Sequence, residues 1–292
     1  MKKVLSLVAV LTLVFSLAAC GGSEDDGEFA ENPQIVGIEA GAGIMAATNT
    51  AIDEYDLEME LLTSSGPAMV SALGDAIENE EWIVVTGWSP HYKFAEYDLK
   101  YLEDPKGVYG DVENLHTVAR PELSTDDPDL ATFLENFYMS STELGGLMGD
   151  IAASDDDAIE VARAWMADNE DVWSAWMPDG FDGGGAELEI GYVNWAEGVA
   201  MTNLVQALLI DEANYSVEIT MADAGPIFSG VSDGSIDFFL DAWLPVTHAS
   251  YQEQYGDTYE DLGYNFEGAR IGLVVPTYVD IDSIDELNDY VN

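Results

Sequence analysis

Apolar residues recur along the chain in short runs separated by amphipathic segments, an alternation typical of strands and helices in a mostly parallel sheet. The pattern occurs twice. The first copy extends from the apolar run 35–38 to the run 83–85, and the second from 190–192 to 238–242. Thr-Asn, Gly-Pro and Trp-x-Pro occur in both copies, 154 to 159 residues apart. This internal repeat predicts two similar lobes.

We therefore predict an α/β fold of two pseudo-symmetric lobes with a ligand cleft between them. The first lobe is expected to cover 34–110 and to be completed by 276–292, and the second to cover 111–275. Between the two copies, the periodicity predicts helices over Leu130–Tyr138 and Asp155–Trp176. Ser154 stands where the N-cap of the second of these helices is expected.

The first residues follow the pattern of an export signal, in which two lysines precede an apolar run over 4–15. The run ends in Leu-Ala-Ala-Cys-Gly, which resembles the lipobox of bacterial lipoproteins. We expect 1–20 to be a lipoprotein signal peptide, with the lipid on Cys20; an ordinary signal with an accidental cysteine is the alternative. The acidic stretch 21–33 is expected to form a flexible tether.

Acidic side chains outnumber basic ones by 57 to 8, which gives a formal net charge of −49. This charge excludes nucleic acid as a partner, because phosphates would be repelled. Seven Trp, fourteen Tyr and ten Phe indicate a folded chain rather than a disordered acidic one. The acids are then expected on the surface, where only high salt screens their repulsion, and we predict a strongly saline habitat.

Three tryptophans follow apolar runs that read as buried strands. Trp88 and Trp243 occupy equivalent positions in the two copies, and Trp195 follows the run 190–193. Ligands of open α/β sheets bind at the carboxyl ends of strands, so these rings are expected at the cleft. Indole faces attract cations, and a quaternary ammonium group is the natural guest of such a box. Ordinary packing of each ring is the alternative.

The loop 41–46 matches the Gly-x-Gly-x-x-Ala form of a dinucleotide-binding fingerprint. An exported protein has no access to nicotinamide cofactors, so we interpret the loop as a helix start whose N–H groups bind an anion. A tight turn that simply requires glycine is the alternative. His248 lies five residues after Trp243, and His91 three after Trp88. Either could donate to the same ligand or be a core residue.

Signatures of enzymes and metal sites are absent from the sequence. It contains no Gly-x-Ser-x-Gly, no His-Glu-x-x-His and no P-loop. Cys20 is the only cysteine, and three separated histidines do not make a metal site. With 57 acids, chance carboxylate pairs carry little information. We expect neither catalysis nor a cofactor nor a metal.

Five motifs together make the chain similar to the glycine betaine binding proteins of ABC importers, over essentially all of 34–292. They are Gly-Ile-Met (43–45), Val-Thr-Gly-Trp-Ser-Pro-His (85–91), Tyr-Leu-Glu-Asp-Pro-Lys-Gly (101–107), Val-Asn-Trp-Ala-Glu (193–197) and Ala-Trp-Leu-Pro-Val-Thr-His (242–248). The resemblance implies a periplasmic-binding-protein-like fold of type II. It also implies the permuted order of halves found in Gram-positive lipoproteins, with the Gly-Ile-Met half first.

The resemblance also implies the binding residues. A cage of Trp88, Trp195 and Trp243 would enclose the trimethylammonium group. The backbone N–H groups of Gly43 and Ile44, together with His248, would hold the carboxylate. Tyr92 departs from the family pattern, in which Trp often follows the histidine.

The function implied is that of a receptor, lipid-anchored on the extracellular face of the cell membrane. It would deliver glycine betaine, or a related quaternary ammonium solute, to an ABC permease for osmoprotection. A receptor for choline or carnitine is one alternative, and a secreted hydrolase is another.

Overall fold

A computed structural model describes residues 33–291. The expected signal peptide with Cys20, and the expected tether up to residue 32, lie outside this part of the chain. The strands are β1 (Gln34–Val36), β2 (Glu60–Leu62), β3 (Val84–Ser89), β4 (Leu99–Tyr101), β5 (Glu113–Ala119), β6 (Glu187–Tyr192), β7 (Ser216–Met221), β8 (Phe238–Leu244) and β9 (Glu260–Pro276). Their alternation with helices confirms the predicted α/β fold.

The helices lie before, between and after these strands. They are α1 (Gly43–Glu54), α2 (Gly66–Glu78), α3 (Lys93–Glu96), α4 (Leu123–Asp126), α5 (Pro128–Asn136), α6 (Ser141–Ala153), α7 (Ala158–Asp168), α8 (Glu170–Trp173), α9 (Ala196–Asp211), α10 (Ala224–Asp233) and α11 (Ala249–Tyr255). A 3-10 helix, Ile284–Tyr290, follows β9.

The strand order shows the internal repeat directly. In the first copy, β1 lies between β2 and β3 and is parallel to both, and β3 then pairs with antiparallel β9. In the second copy, β6 lies between β7 and β8 and is parallel to both, and β8 then pairs with antiparallel β5. Each copy thus receives its fourth strand from elsewhere in the chain, and β5 and β9 also pair with each other.

Strand β9 belongs to both parts of the sheet. Its residues 260–269 pair with β5, whereas Arg270 to Val274 pair with β3 and the last residues pair with β4. The lobe boundary predicted at 275/276 lies inside this strand. The strand exchanges its partner β5 for β3 earlier, between Ala269 and Arg270. Strand β9 is long enough for its first part to pair with β5 and its last part to pair with β3.

Of the two helices predicted between the copies, the second begins later than expected. Helix α5 occupies most of the expected Leu130–Tyr138. Ser154, however, follows the last residue of α6, and α7 begins only at Ala158. The Ser154 hydroxyl accepts a hydrogen bond from the N–H of Asp156, so it stabilises the turn between two helices rather than starting one.

Helix α9 places one of the predicted tryptophans. It is buried along most of its length and packs against β6, β7 and β8 on one side and α6 and α7 on another. A helix that is apolar around its circumference belongs in a core. Trp195, at its N-cap position, is therefore held at the carboxyl end of β6.

Candidate functional site

The six predicted binding residues all line one cavity. They come from both copies of the repeat. The remaining lining residues are Ile38, Ala42, Glu197, Thr247 and Ile271. The cavity is thus formed where strand ends of the two halves meet, as expected for an α/β sheet.

Trp88 and Trp243 enter the cavity from equivalent strands. Trp88 lies near the end of β3 and Trp243 near the end of β8, and both are 3% exposed. Each is followed two residues later by a proline with a cis peptide bond. The indole nitrogen Nε1 of Trp88 donates to Glu197 Oε2 at 2.8 Å, and that of Trp243 donates to Asp241 Oδ1 at 2.9 Å. These hydrogen bonds fix the direction of both rings.

Trp195 forms another wall. Its Nε1 donates to a carboxylate oxygen of Glu39, and its ring stacks on His248 with centroids 5.7 Å apart and planes at 28°. All three predicted cage rings therefore present their N–H edge to an acid. Their electron-rich faces are left for packing or for a ligand.

His248 is fully buried beside the rings. Its Nδ1 accepts a hydrogen bond from the backbone N–H of Trp243 at 2.9 Å, and its Nε2 has no hydrogen-bond partner within residues 33–291. Burial lowers the pKa of His248 to about 3. The imidazole is therefore neutral at physiological pH, and because Nδ1 is an acceptor, its proton lies on Nε2. His248 is thus a neutral donor facing the cavity.

The loop that carries His248 is held by a buried acid of another strand. Glu113 of β5 accepts hydrogen bonds from the backbone N–H groups of Val246 and Thr247. The Thr247 hydroxyl also donates to Glu113. These contacts fix the turn between Trp243 and His248, so both side chains keep their direction.

The first turn of α1 forms the opposite wall. Its N-cap, Ala42, has no side-chain cap, so the N–H groups that begin the helix are available to a ligand. The positive end of the helix dipole favours an anion here. Gly43 lies directly against Thr247 of the other half, and a Cβ at position 43 would lie 2.6 Å from Thr247 Cγ2. Only glycine permits this approach.

Sequence reasoning missed the acids behind the rings. Glu197 and Asp241 are buried, and desolvation raises the pKa of each; a nearby Glu197 charge raises that of Asp241 further. Burial also raises the pKa of Glu39, although less of this side chain is covered. A lone acid inside an otherwise apolar strand or helix, as in Phe-Phe-Leu-Asp-Ala-Trp-Leu, was the signal available in the sequence.

A buried lysine lies against one of the predicted cage rings. Lys93 is fully buried, its Nζ is 4.0 Å from the centroid of the Trp88 ring, and desolvation lowers its pKa to about 7. Its backbone N–H donates to His91 Nδ1 at 3.0 Å. His91 packs edge-on against Trp88 with centroids 4.8 Å apart, and it lines a neighbouring cavity rather than the one with the cage.

Residues 33–291 contain neither a metal-binding cluster nor a helix that could span a membrane. This part of the chain holds no group of three or more His, Cys, Asp or Glu arranged to bind a metal. Its helices are all too short or too polar to cross a membrane.

An aromatic cavity with a helix N-terminus and a neutral donor, set between two α/β halves, is typical of a small-molecule binding protein. Residues 15–168 and 186–292 match the family described as the substrate binding domain of ABC-type glycine betaine transport systems. The chain is also 38% identical to the glycine betaine/carnitine transport binding protein GbuC of Listeria monocytogenes serotype 1/2a (strain 10403S), over 98% of both chains. The chain therefore belongs to this family of ABC transporter substrate-binding proteins.

Two solved structures are also similar. Lactococcal OpuAC, in a closed form complexed with glycine betaine, is 38% identical with a TM-score of 0.48, over 51% of this chain and 60% of that one. The glycine/betaine/L-proline-binding protein ProX of Borrelia burgdorferi is 34% identical with a TM-score of 0.48, over 50% and 56%. The matched family is that of a transport component.

Proposed function

We propose that this protein captures glycine betaine outside the cytoplasmic membrane and presents it to the permease of an ABC importer. The observation that carries the proposal is the meeting of three indole rings, a neutral imidazole donor and a helix N-terminus in one cavity. Glycine betaine is a zwitterion with a trimethylammonium group at one end and a carboxylate at the other. The cavity offers a complementary surface to each.

The cationic end would be held by Trp88, Trp195 and Trp243. A trimethylammonium group cannot donate hydrogen bonds, so the faces of aromatic rings are its best partners. A desolvated cation–π contact contributes about 2 kcal/mol, and three give roughly 6 kcal/mol. Acids accept the indole N–H groups, which fixes the direction of the rings before the ligand binds.

The anionic end would be held by His248 Nε2–H and by the backbone N–H groups of Gly43 and Ile44. Each charge-assisted hydrogen bond contributes about 1.5 to 3 kcal/mol. Association itself costs roughly 4 to 15 kcal/mol, so a Kd in the micromolar range, about −8 kcal/mol, is reachable. This anion site is what would favour betaine over choline, which has no carboxylate.

The binding cleft lies between two lobes that we assign as 34–110 with 270–291, and 111–269. Gly43 and Ile44 belong to the first lobe, whereas Trp195, Trp243 and His248 belong to the second. A ligand that contacts both lobes stabilises the closed arrangement over an open one, because only the closed form makes both sets of contacts. Closure would be the signal that the permease recognises.

The location of the protein rests on its first residues. Export by the signal 1–20 and attachment of a lipid to Cys20 would keep the receptor at the outer face of the cell membrane, beside its permease. Wild-type protein should carry a covalent fatty-acid label and Cys20→Ala should not, whereas absence of the label from the wild-type protein would contradict lipid anchoring. Metabolic labelling with a fatty acid identifies the modification itself.

Calorimetric titration tests the proposed ligand. Purified protein lacking residues 1–20 should bind glycine betaine with a micromolar Kd and one site per chain. Choline and carnitine are the comparisons for a receptor of another onium compound, and product analysis after incubation with each compound tests for hydrolysis. Tighter binding of choline than of glycine betaine would overturn the proposal.

A further inference from the structure

Glu197 is an acid inside the ligand cavity itself. It lies in the first turn of α9, is fully buried, and lines the cavity together with the three tryptophans. One carboxylate oxygen, Oε2, accepts the hydrogen bond of Trp88 Nε1. The other, Oε1, is buried and has no hydrogen-bond partner in the described part of the chain. Burying an unpaired carboxylate oxygen is costly, so such a group needs an explanation.

The titratable groups around Glu197 come from four parts of the chain. Lys93 lies on α3, Asp241 on β8, Tyr101 on β4 and Glu39 on the loop after β1, and each is close enough to interact electrostatically with this carboxylate. Asp241 holds its proton more tightly because it is desolvated and near Glu197. Of these two fully buried acids, Glu197 is therefore the one that ionises more readily, and it is also the one that lines the cavity.

Positioning a ring does not require a charge in the cavity. A glutamine could accept the indole N–H equally well, and Glu39 positions Trp195 without itself lining the cavity. The charge of Glu197 therefore has a separate effect, which acts on whatever occupies the space between the rings. In a desolvated site a fixed carboxylate attracts a cation much more strongly than in water.

We propose that Glu197 is a specificity residue of the cage: its carboxylate makes the cavity select for the positive charge of the onium group and not only for its shape. This inference rests on the proposed binding of glycine betaine. The indole faces supply shape and part of the charge recognition. Glu197 supplies the rest through its unpartnered oxygen.

Two ligands that differ by one atom test whether Glu197 selects for the positive charge. In 3,3-dimethylbutanoate a carbon replaces the nitrogen of glycine betaine, so shape and carboxylate are kept while the cation is lost. The quantity to measure is the ratio of the Kd of 3,3-dimethylbutanoate to that of glycine betaine, by calorimetry or competition. Titrations at about 1 M NaCl screen the field of the distant surface acids.

Glu197→Gln should lower this ratio at least about tenfold, equivalent to ~1.4 kcal/mol of lost charge selectivity. Glu197→Asp, which keeps the charge, should restore part of the ratio. Glu135→Gln is the matched control, because it removes one charge from an exposed position on α5. A loss of affinity for both ligands by the same factor in Glu197→Gln would overturn the inference, since a merely structural role would have that effect.

Two further outcomes keep the two proposals distinguishable. If Glu197→Gln does not fold, as judged by circular dichroism, the ratio is measured for Glu197→Asp and for wild-type protein at decreasing pH. A ratio that does not change with pH in either protein would then overturn the inference. Absence of glycine betaine binding by the wild-type protein would overturn the proposed function, and this inference with it.

Discussion

The backbone N–H of Trp243 donates a hydrogen bond to Nδ1 of His248, 2.9 Å away. This contact places the imidazole proton on Nε2, where a ligand carboxylate can accept it. His248→Ala should therefore weaken glycine betaine binding by about tenfold, the effect of losing one hydrogen bond to a charged group. Binding of choline, which lacks the carboxylate, should change less. Equal losses for both ligands in calorimetric titrations would show that His248 supports the cage rather than the anion.

The three cage rings should contribute separately. Trp88→Ala, Trp195→Ala and Trp243→Ala are each expected to weaken glycine betaine binding by roughly tenfold or more, as the loss of ~2 kcal/mol implies. Trp173→Ala is the control, because this half-buried ring lies on α8 and donates to the carbonyl of Met166. Wild-type affinity in any of the three variants would exclude that ring from the cage.

The contact between Gly43 and Thr247 should control closure. An added Cβ in Gly43→Ala collides with Thr247, so the two lobes cannot approach fully and the Kd should rise about tenfold or more. Gly41→Ala is the matched control. A Cβ there is 3.8 Å from Asp223 and Tyr251, which is ordinary contact. Small-angle scattering with saturating ligand should show a larger radius of gyration for Gly43→Ala alone.

Affinity for glycine betaine should fall as the pH decreases through about 7. Desolvation raises the pKa of Glu197 to about 7, and it lowers that of Lys93 to about 7. On acidification Glu197 loses its negative charge and Lys93 gains a positive one, and both changes disfavour the ligand cation. His248, with a pKa of about 3, does not titrate in this window.

Calorimetric titrations at pH 8 and pH 6 measure this effect. The Kd should be about threefold to tenfold higher at the lower pH, and the difference should shrink in Glu197→Gln. The groups that face Glu197 are Lys93, Asp241, Glu39 and Tyr101, so Asp241→Asn should also change the midpoint. Tighter binding at pH 6 would contradict this account.

Salt should stabilise the protein. The formal net charge of −49 opposes compaction at low ionic strength, and this repulsion is screened as salt is added. The Tm should rise from near-zero to molar NaCl, by roughly 2–4 °C for each kcal/mol of repulsion removed. KCl at equal concentration should act alike, because screening does not depend on the cation. An unchanged Tm would remove the argument for a saline habitat.

Much of the fold could be predicted because its repeat shows in the sequence. Buried strands appear as apolar runs, and the turn residues after them recur at a nearly constant spacing. The sharing of β9 could not be seen, because a strand that changes partners at Ala269/Arg270 has no local signal for the change. Ser154 was misassigned because Ser followed by three aspartates has the composition of a helix start. The preceding helix α6, with Gly145, Gly146 and Gly149, has a poor helix propensity.

That the three tryptophans meet at one cavity was predictable for a related reason. Trp88 and Trp243 follow apolar strands at equivalent places, so their location at a strand end follows from topology. The acids behind the rings were hidden by composition, since 57 acids make any single one uninformative. Asp241 and Glu197 differ from the others only in their apolar surroundings. Which indole each accepts depends on contacts between distant parts of the chain, which no local pattern contains.

The sharing of strand β9 by both parts of the sheet affects how the protein unfolds. The first residues of the strand complete the sheet of one lobe and its last residues complete that of the other. Because both parts of the sheet share this strand, neither part can come apart without disturbing the other, and we expect the two lobes to unfold as one cooperative unit. Binding energy gained at the cleft therefore protects the whole chain from unfolding and proteolysis, including surfaces far from the ligand.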